Sequence, residues 1–192
     1  PANNRGKGQL GNTQATVNLV AHSLLREGGA PALVFGAPVT IRSSQYYGFS
    51  HVEPLGYDGA TLTFGYGRLV TQPQSNAAAG SADTFTIRLS YPVIRAVRET
   101  LVLNADLNAL NSNAAYLGQA LSDERTRSVR LGAIYGLQDN WDGTTVLSGT
   151  FSHGFDTLGA RRGSVAFGGP DYAKFYGAIA REQKLPLDLI LR

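Results

Sequence analysis

Cysteine is absent from all 192 residues, which excludes disulfides and thiolate metal sites by inventory. Methionine is absent too, even at position 1, and the chain opens Pro1-Ala2-Asn3-Asn4 without a charged-then-apolar leader. That opening reads as an internal piece of a longer precursor. Charge is sparse at 16% of residues, and the net charge of +3 is scattered, so no Lys/Arg cluster marks a nucleic-acid face. No run approaches the roughly eighteen apolar residues that a membrane helix needs. This leaves a spanning barrel open, because strands that alternate apolar and polar keep the average hydropathy close to that of a soluble protein. Histidine is nearly absent: His22, His51 and His153 lie far apart, with no metal-ligand spacing. Asp139 and Asp142 flank Trp141 but miss the spacing of a calcium loop. The expectation is a protein that is not an enzyme.

What is present is glycine, at 23 residues, and a period of two. Val129, Leu131, Ala133, Tyr135 and Leu137 fall on one face, opposite Ser128, Arg130, Gly132, Gly136 and Gln138. Ile134 is the one apolar residue on the second face. Alternation is the strand signature, since successive side chains point to opposite faces. Asn140-Trp141-Asp142-Gly143 reads as a tight Asp-Gly turn, and the chain returns through Leu147, Gly149 and Phe151. Each arm has about ten residues, the length of a tilted membrane strand.

The same pattern recurs at 13–21, 32–42, 45–53, 60–70, 84–92, 101–109 and 173–185. The pattern G-x-G-x-x-G at Gly6, Gly8 and Gly11 precedes an alternating stretch, not a helix, and so reads as a loop without a nucleotide. Residues 71–83, 111–125 and 156–171 read as long loops on one edge, with short turns on the other. Long arms and uneven loops favour an antiparallel transmembrane β-barrel over a soluble sandwich.

The motifs resemble those of the two-partner secretion transporters of the outer membrane, the haemolysin activation/secretion family. Asn4-Arg5-Gly6 with Gly11 is similar to the family's opening after its first barrel strand. Pro54-Leu55-Gly56 with Asp58-Gly59 and Arg130-Leu131-Gly132 resemble further segments. Ser152-His153-Gly154-Phe155-Asp156-Thr157-Leu158-Gly159-Ala160 resembles its Ser-Gln-Gly-Leu-Asp-x-Leu-Gly-Ala segment. Asp171-Tyr172-Ala173-Lys174-Phe175, Arg181, Gln183 and Leu185-Pro186 resemble a later arm. His51 and Glu53 depart from it, and a charge at Glu53 is expected at the membrane edge beside Pro54.

The resemblance implies an all-β chain forming nine to ten strands of a sixteen-stranded barrel, from the end of strand 1 to the start of strand 11. The periplasmic docking domains and the pore-loop motif lie outside this chain. It implies export of a large exoprotein, an adhesin or cytolysin, with no cofactor and no nucleotide. The expected partners are that exoprotein and the lipid and lipopolysaccharide of the cell outer membrane; no nucleic acid is expected. An assembly insertase of the same superfamily and a soluble β-rich binding module are the alternatives.

Arg42, Arg88, Asn104, Asp106, Asn108 and Arg130 fall on polar faces and are candidates for lining a hydrated lumen. The other reading is a mutually paired interior without a role in transport. Tyr57, Tyr66, Tyr91 and Trp141 are candidate interfacial aromatics. The other reading is ordinary strand aromatics.

Overall fold

A computed structural model describes residues 2–3, 14–23, 28–38, 44–72, 78–161, 169–185 and 189–191. Its strands, in chain order, are β1 (Ala2–Asn3), β2 (Gln14–Val20), β3 (Ala30–Pro38), β4 (Ser44–Leu55), β5 (Ala60–Thr71) and β6 (Ala78–Arg95). They continue with β7 (Glu99–Tyr116), β8 (Gln119–Gln138), β9 (Gly143–Gly154), β10 (Tyr172–Leu185) and β11 (Leu189–Leu191). Every strand pairs antiparallel with its successor, giving one sheet in strict sequence order. β1 and β11 are stubs; the nine strands between them are long. The sheet is open, since the order runs from β1 to β11 without a closing pair among the described residues.

Strand pairing fixes which side chains share a face. Tyr66 pairs with Phe85 and Phe85 with Ala109. The next row joins Phe64, Ile87, Leu107 and Val129. The row below it joins Leu62, Leu89, Ala105, Leu131, Phe151 and Phe175. These side chains form an apolar face, and it is uncovered: Leu107 and Leu131 are each 53% exposed and Phe175 72%. Ala37 is the one buried apolar side chain among the described residues. A soluble sandwich buries one face of every strand against a second layer. Here there is no second layer among the described residues, which removes the sandwich.

The apolar band has polar borders. Toward one edge, Arg68, Asp83, Asn111 and Arg125 lie in a single cross-strand row. Toward the other edge, Thr145 pairs with Arg181. On β8 the band runs from Val129 to Leu137. Nine residues rising about 3.4 Å each, tilted about 40°, give about 23 Å, close to the roughly 25 Å apolar belt of an outer-membrane barrel.

Two loops expected from the sequence are strand instead. Residues 78–83 begin β6, and 111–125 are the end of β7, a turn at Leu117-Gly118 and the start of β8. β6, β7 and β8 therefore run past the apolar band together, as a three-stranded extension of the sheet. Of the three expected long loops, that between β9 and β10 lies outside the named strands over its described residues, 155–161 and 169–171. The shorter connections at 56–59, 96–98 and 139–142 cluster at the opposite edge. A register shift between Pro92 and Ile94 marks a bulge near that edge, where proline's missing N–H is tolerated.

The turn after β8 also differs in detail. Asp142, with φ +56°, takes the left-handed conformation, and Gly143 already opens β9. Asp139 organises this turn. Its Oδ1 accepts from the Trp141 and Gly143 backbone N–H groups at 2.9 Å each. Its Oδ2 accepts from Arg181 at 2.6 Å. The Arg181 guanidinium first, and then the Gly143 N–H, hold the Asp139 carboxyl below the usual carboxylate range.

A polar strip opposite the apolar face

The second face of the sheet carries small and polar side chains, a consequence of the same period of two. Its central row joins Thr63, Arg88, Asp106, Arg130, Ser152 and Lys174 on six successive strands, β5 to β10. Asp106 is 8% exposed and takes both ends of the Arg88 fork, Nε at 2.6 Å and an Nη at 3.1 Å. Two parallel charge-assisted bonds are the strongest geometry open to this pair. Arg130 stands across from Asp106 on β8, is exposed, and has no carboxylate partner among the described residues. The row thus holds three cations, Arg88, Arg130 and Lys174, against one carboxylate that Arg88 already occupies.

The neighbouring rows are polar without charge. Thr86 donates to Asn108 Oδ1 at 3.2 Å, while the buried Asn108 Nδ2 has no partner among the described residues. Asn104 lies between Ser90 and Gly132, and Ser128 beside Asn108 is 3% exposed. At the β4–β5 end of this face, the Tyr46 ring lies over Gly48 and Gly67, where side chains would collide with it. Glycine there admits a ring flat against the backbone.

Arg88, Asn104, Asp106, Asn108 and Arg130 share this face, as the alternation requires. Arg42 lies outside the described residues, as do the G-x-G-x-x-G stretch, Asn4-Arg5-Gly6 and Pro186. Lys174 escaped the sequence reading although it falls on the even-numbered face of β10. Counting register from Ser152 would have found it.

The aromatic candidates do not gather at one place. Tyr66 sits on the apolar face near its charged border; its hydroxyl donates to Asp83 at 2.8 Å and its ring meets Phe85 at 4.9 Å. Tyr91 is on the same face toward the short-turn edge, paired with Leu103. Tyr57 and Trp141 are in the turns themselves, fully exposed and 79% exposed. Glu53 lies on the apolar face two residues before its turn, and its carboxylate meets His51 Nε2 at 3.1 Å.

No protein-family model and no curated protein sequence matches the chain. Among solved structures it is similar to CdiB from Escherichia coli, a two-partner secretion transporter, at 15% identity and a TM-score of 0.80. The likeness covers 97% of this chain and 37% of that one. The likeness is one of fold: an antiparallel sheet matching part of a β-barrel. The chain spans little more than a third of the CdiB chain. The all-β barrel architecture expected from the alternation, and its partial extent expected from the resemblance, are therefore what is found over the described residues.

Proposed function

We propose that these residues form part of the wall of an outer-membrane polypeptide transporter that exports a large exoprotein, of adhesin or cytolysin type, by two-partner secretion. One observation carries the reading: an uncovered apolar face about one membrane thick backs directly onto a continuous polar face. In water the first face would aggregate; in lipid it is satisfied, and the second face then lines an aqueous lumen. The likeness in fold to CdiB supports the choice of a transporter within the barrel class.

In this reading the polar strip touches the moving chain. Arg88 is held by Asp106, which leaves Arg130, Asn104 and Lys174 to offer single, exchangeable hydrogen bonds to an unfolded backbone. Neutral and singly charged contacts of this kind are each worth about 0.5–3 kcal/mol, so passage is not arrested by tight binding. No catalytic residue, nucleotide or metal takes part. Tyr66, Tyr91, Tyr57 and Trp141 mark the lipid–water borders, and lipid and lipopolysaccharide cover the apolar face.

The test is genetic. Deleting the gene in its own bacterium abolishes secretion of one exoprotein while the other outer-membrane barrels keep their levels, and the intact gene restores it. A general fall in barrel proteins would instead make the protein an insertase. A protein that purifies monodisperse from aqueous extract without detergent would make it a soluble module.

A further inference from the structure

The segment after β9 does something that barrel closure and transport do not require: it loops out at 156–160 and then rejoins the same edge of β8 farther along. Phe155 N–H donates to the Arg127 carbonyl at 3.0 Å, and Arg125 and Arg161 exchange a pair of backbone bonds at 2.9 Å. Between them, Leu158 and Gly159 both take positive φ, at +54° and +75°. A leucine in that conformation is uncommon, and here it holds its side chain 77% exposed at the border of the apolar band.

Beneath it is a cavity of about 170 Å³, lined on the apolar face by Phe85, Ile87, Leu107, Ala109, Phe155 and Leu158. Arg127 closes its upper end. It is an open hollow in the apolar face, not an enclosed void, so an acyl chain can enter it from the side. The rim above is cationic. Arg127 donates to the carbonyls of Leu158, Leu110 and Thr126 and to Asn111 Oδ1, all neutral acceptors, so its charge is not compensated. Arg161 and Arg125 share one carboxylate, Asp123, at 2.6 and 3.6 Å. Two further acids lie nearby: Asp156, exposed in the same loop, and Asp83, across the strands in the row of Asn111 and Arg125, where Arg68 meets it at 3.6 Å.

Hydrocarbon-binding space directly below excess positive charge is the complement of one molecule class, an anionic amphiphile. We infer that this site binds the phosphorylated glycolipid of the outer leaflet, lipopolysaccharide, with a phosphate over Arg127, Arg125 and Arg161 and an acyl chain under Leu158. The site lies at the edge that carries the long β9–β10 connection, which in barrels is the outer edge. This rests on the membrane-barrel reading above, and it adds a defined site to a surface that otherwise meets lipid without preference.

The test uses the full natural chain, purified in a non-ionic detergent. Bisphosphorylated lipid A, the same lipid without its phosphates, and phosphatidylcholine are each titrated, and binding is followed by native mass spectrometry and by melting temperature. Lipid A is expected to bind at least tenfold more tightly than either comparator. Arg127→Gln removes the central cation and Ala109→Phe fills the cavity while leaving every arginine in place. Each is expected to weaken lipid A at least fivefold and leave phosphatidylcholine unchanged. Arg125→Gln guards against Arg127→Gln failing to fold, since Arg125 holds only a 3.6 Å contact.

Equal binding of the three lipids, or lipid A binding that survives Ala109→Phe and Arg125→Gln together, overturns the site. Either result would leave the transporter reading intact, because detergent dependence and secretion are read separately. Loss of detergent dependence would instead remove the membrane reading beneath it.

Discussion

Removing Arg88 should cost more than removing the residue it binds. In Arg88→Ala, Asp106, 8% exposed in the intact protein, loses both charge-assisted bonds. Leaving a buried polar group unpaired costs about 1–3 kcal/mol, and more when it is charged. Arg130, directly across the strand pair, can swing toward the orphaned carboxylate, so about 2 kcal/mol is expected instead of the 3–5 kcal/mol seen at fully buried pairs. In Asp106→Ala the orphan is Arg88, whose side chain is 52% exposed and regains water. The loss there is about 0.5–1 kcal/mol, the scale of an exposed pair. Arg88 and Arg130 then face each other two strands apart, at about 10 Å, which adds only about 0.4 kcal/mol in water.

The double variant should resemble Asp106→Ala, so a double-mutant cycle yields a coupling of about 2 kcal/mol, the whole cost of Arg88→Ala. The assay is urea unfolding of the full-length protein in liposomes, followed by intrinsic fluorescence and by gel mobility. If Asp106→Ala proved as costly as Arg88→Ala, or the coupling vanished, the picture of one buried carboxylate clamped by one wetted arginine would be wrong.

Four more outcomes follow from the same structure. Leu131 and Ile134 sit on opposite faces of β8; Leu131→Arg should cost about 2–4 kcal/mol in lipid and Ile134→Arg under about 1 kcal/mol, measured by the same unfolding curves. Gly67→Ala pushes against the movable Thr84 and Tyr46 hydroxyls, at 2.9 and 3.0 Å, and should cost about 1 kcal/mol. Gly154→Ala meets the Pro170 backbone carbonyl and the Tyr172 ring, and the same unfolding assay should give about 2–3 kcal/mol. The Asp139 turn should be insensitive to pH from 5 to 8. Its carboxyl titrates below the unfolded value of about 3.9, so its contribution is complete above that value and is lost as pH falls through the lower, folded one. Protection of the Gly143 amide, its exchange rate relative to the intrinsic rate at each pH, checks this: it should fall only in acid, and a fall already at pH 6 would refute it.

Where a strand has lipid on one side and water on the other, the sequence announces it. Residues 128–138 and 101–109 alternate because their two faces meet different media, and both are strand with the faces as read. The polar candidates Arg88, Asn104, Asp106, Asn108 and Arg130 follow from that parity. Residues 111–116 and 119–125 are strand as well, yet they read as loop. Asn111, Asn113, Asp123 and Arg125 stand on the side that is apolar farther along, and Ser112, Ser122 and Glu124 on the other. With water on both faces there is no contrast to detect, so the period disappears although the ladder continues. The Arg88–Asp106 clamp was hidden for another reason: parity assigns a face, but register, set 18 residues apart in the chain, decides which residues of that face meet.

The continuation of β7 and β8 beyond the apolar band changes what the outside of such a cell presents. Six further residues of paired strand rise about 15 Å at a barrel's tilt. In the membrane reading proposed above, an antibody, a phage fibre or a protease arriving there meets a stiff three-stranded extension of β6, β7 and β8 tipped by Leu117-Gly118, not a yielding coil. An epitope grafted at that tip would be displayed in one orientation at a fixed height above the bilayer.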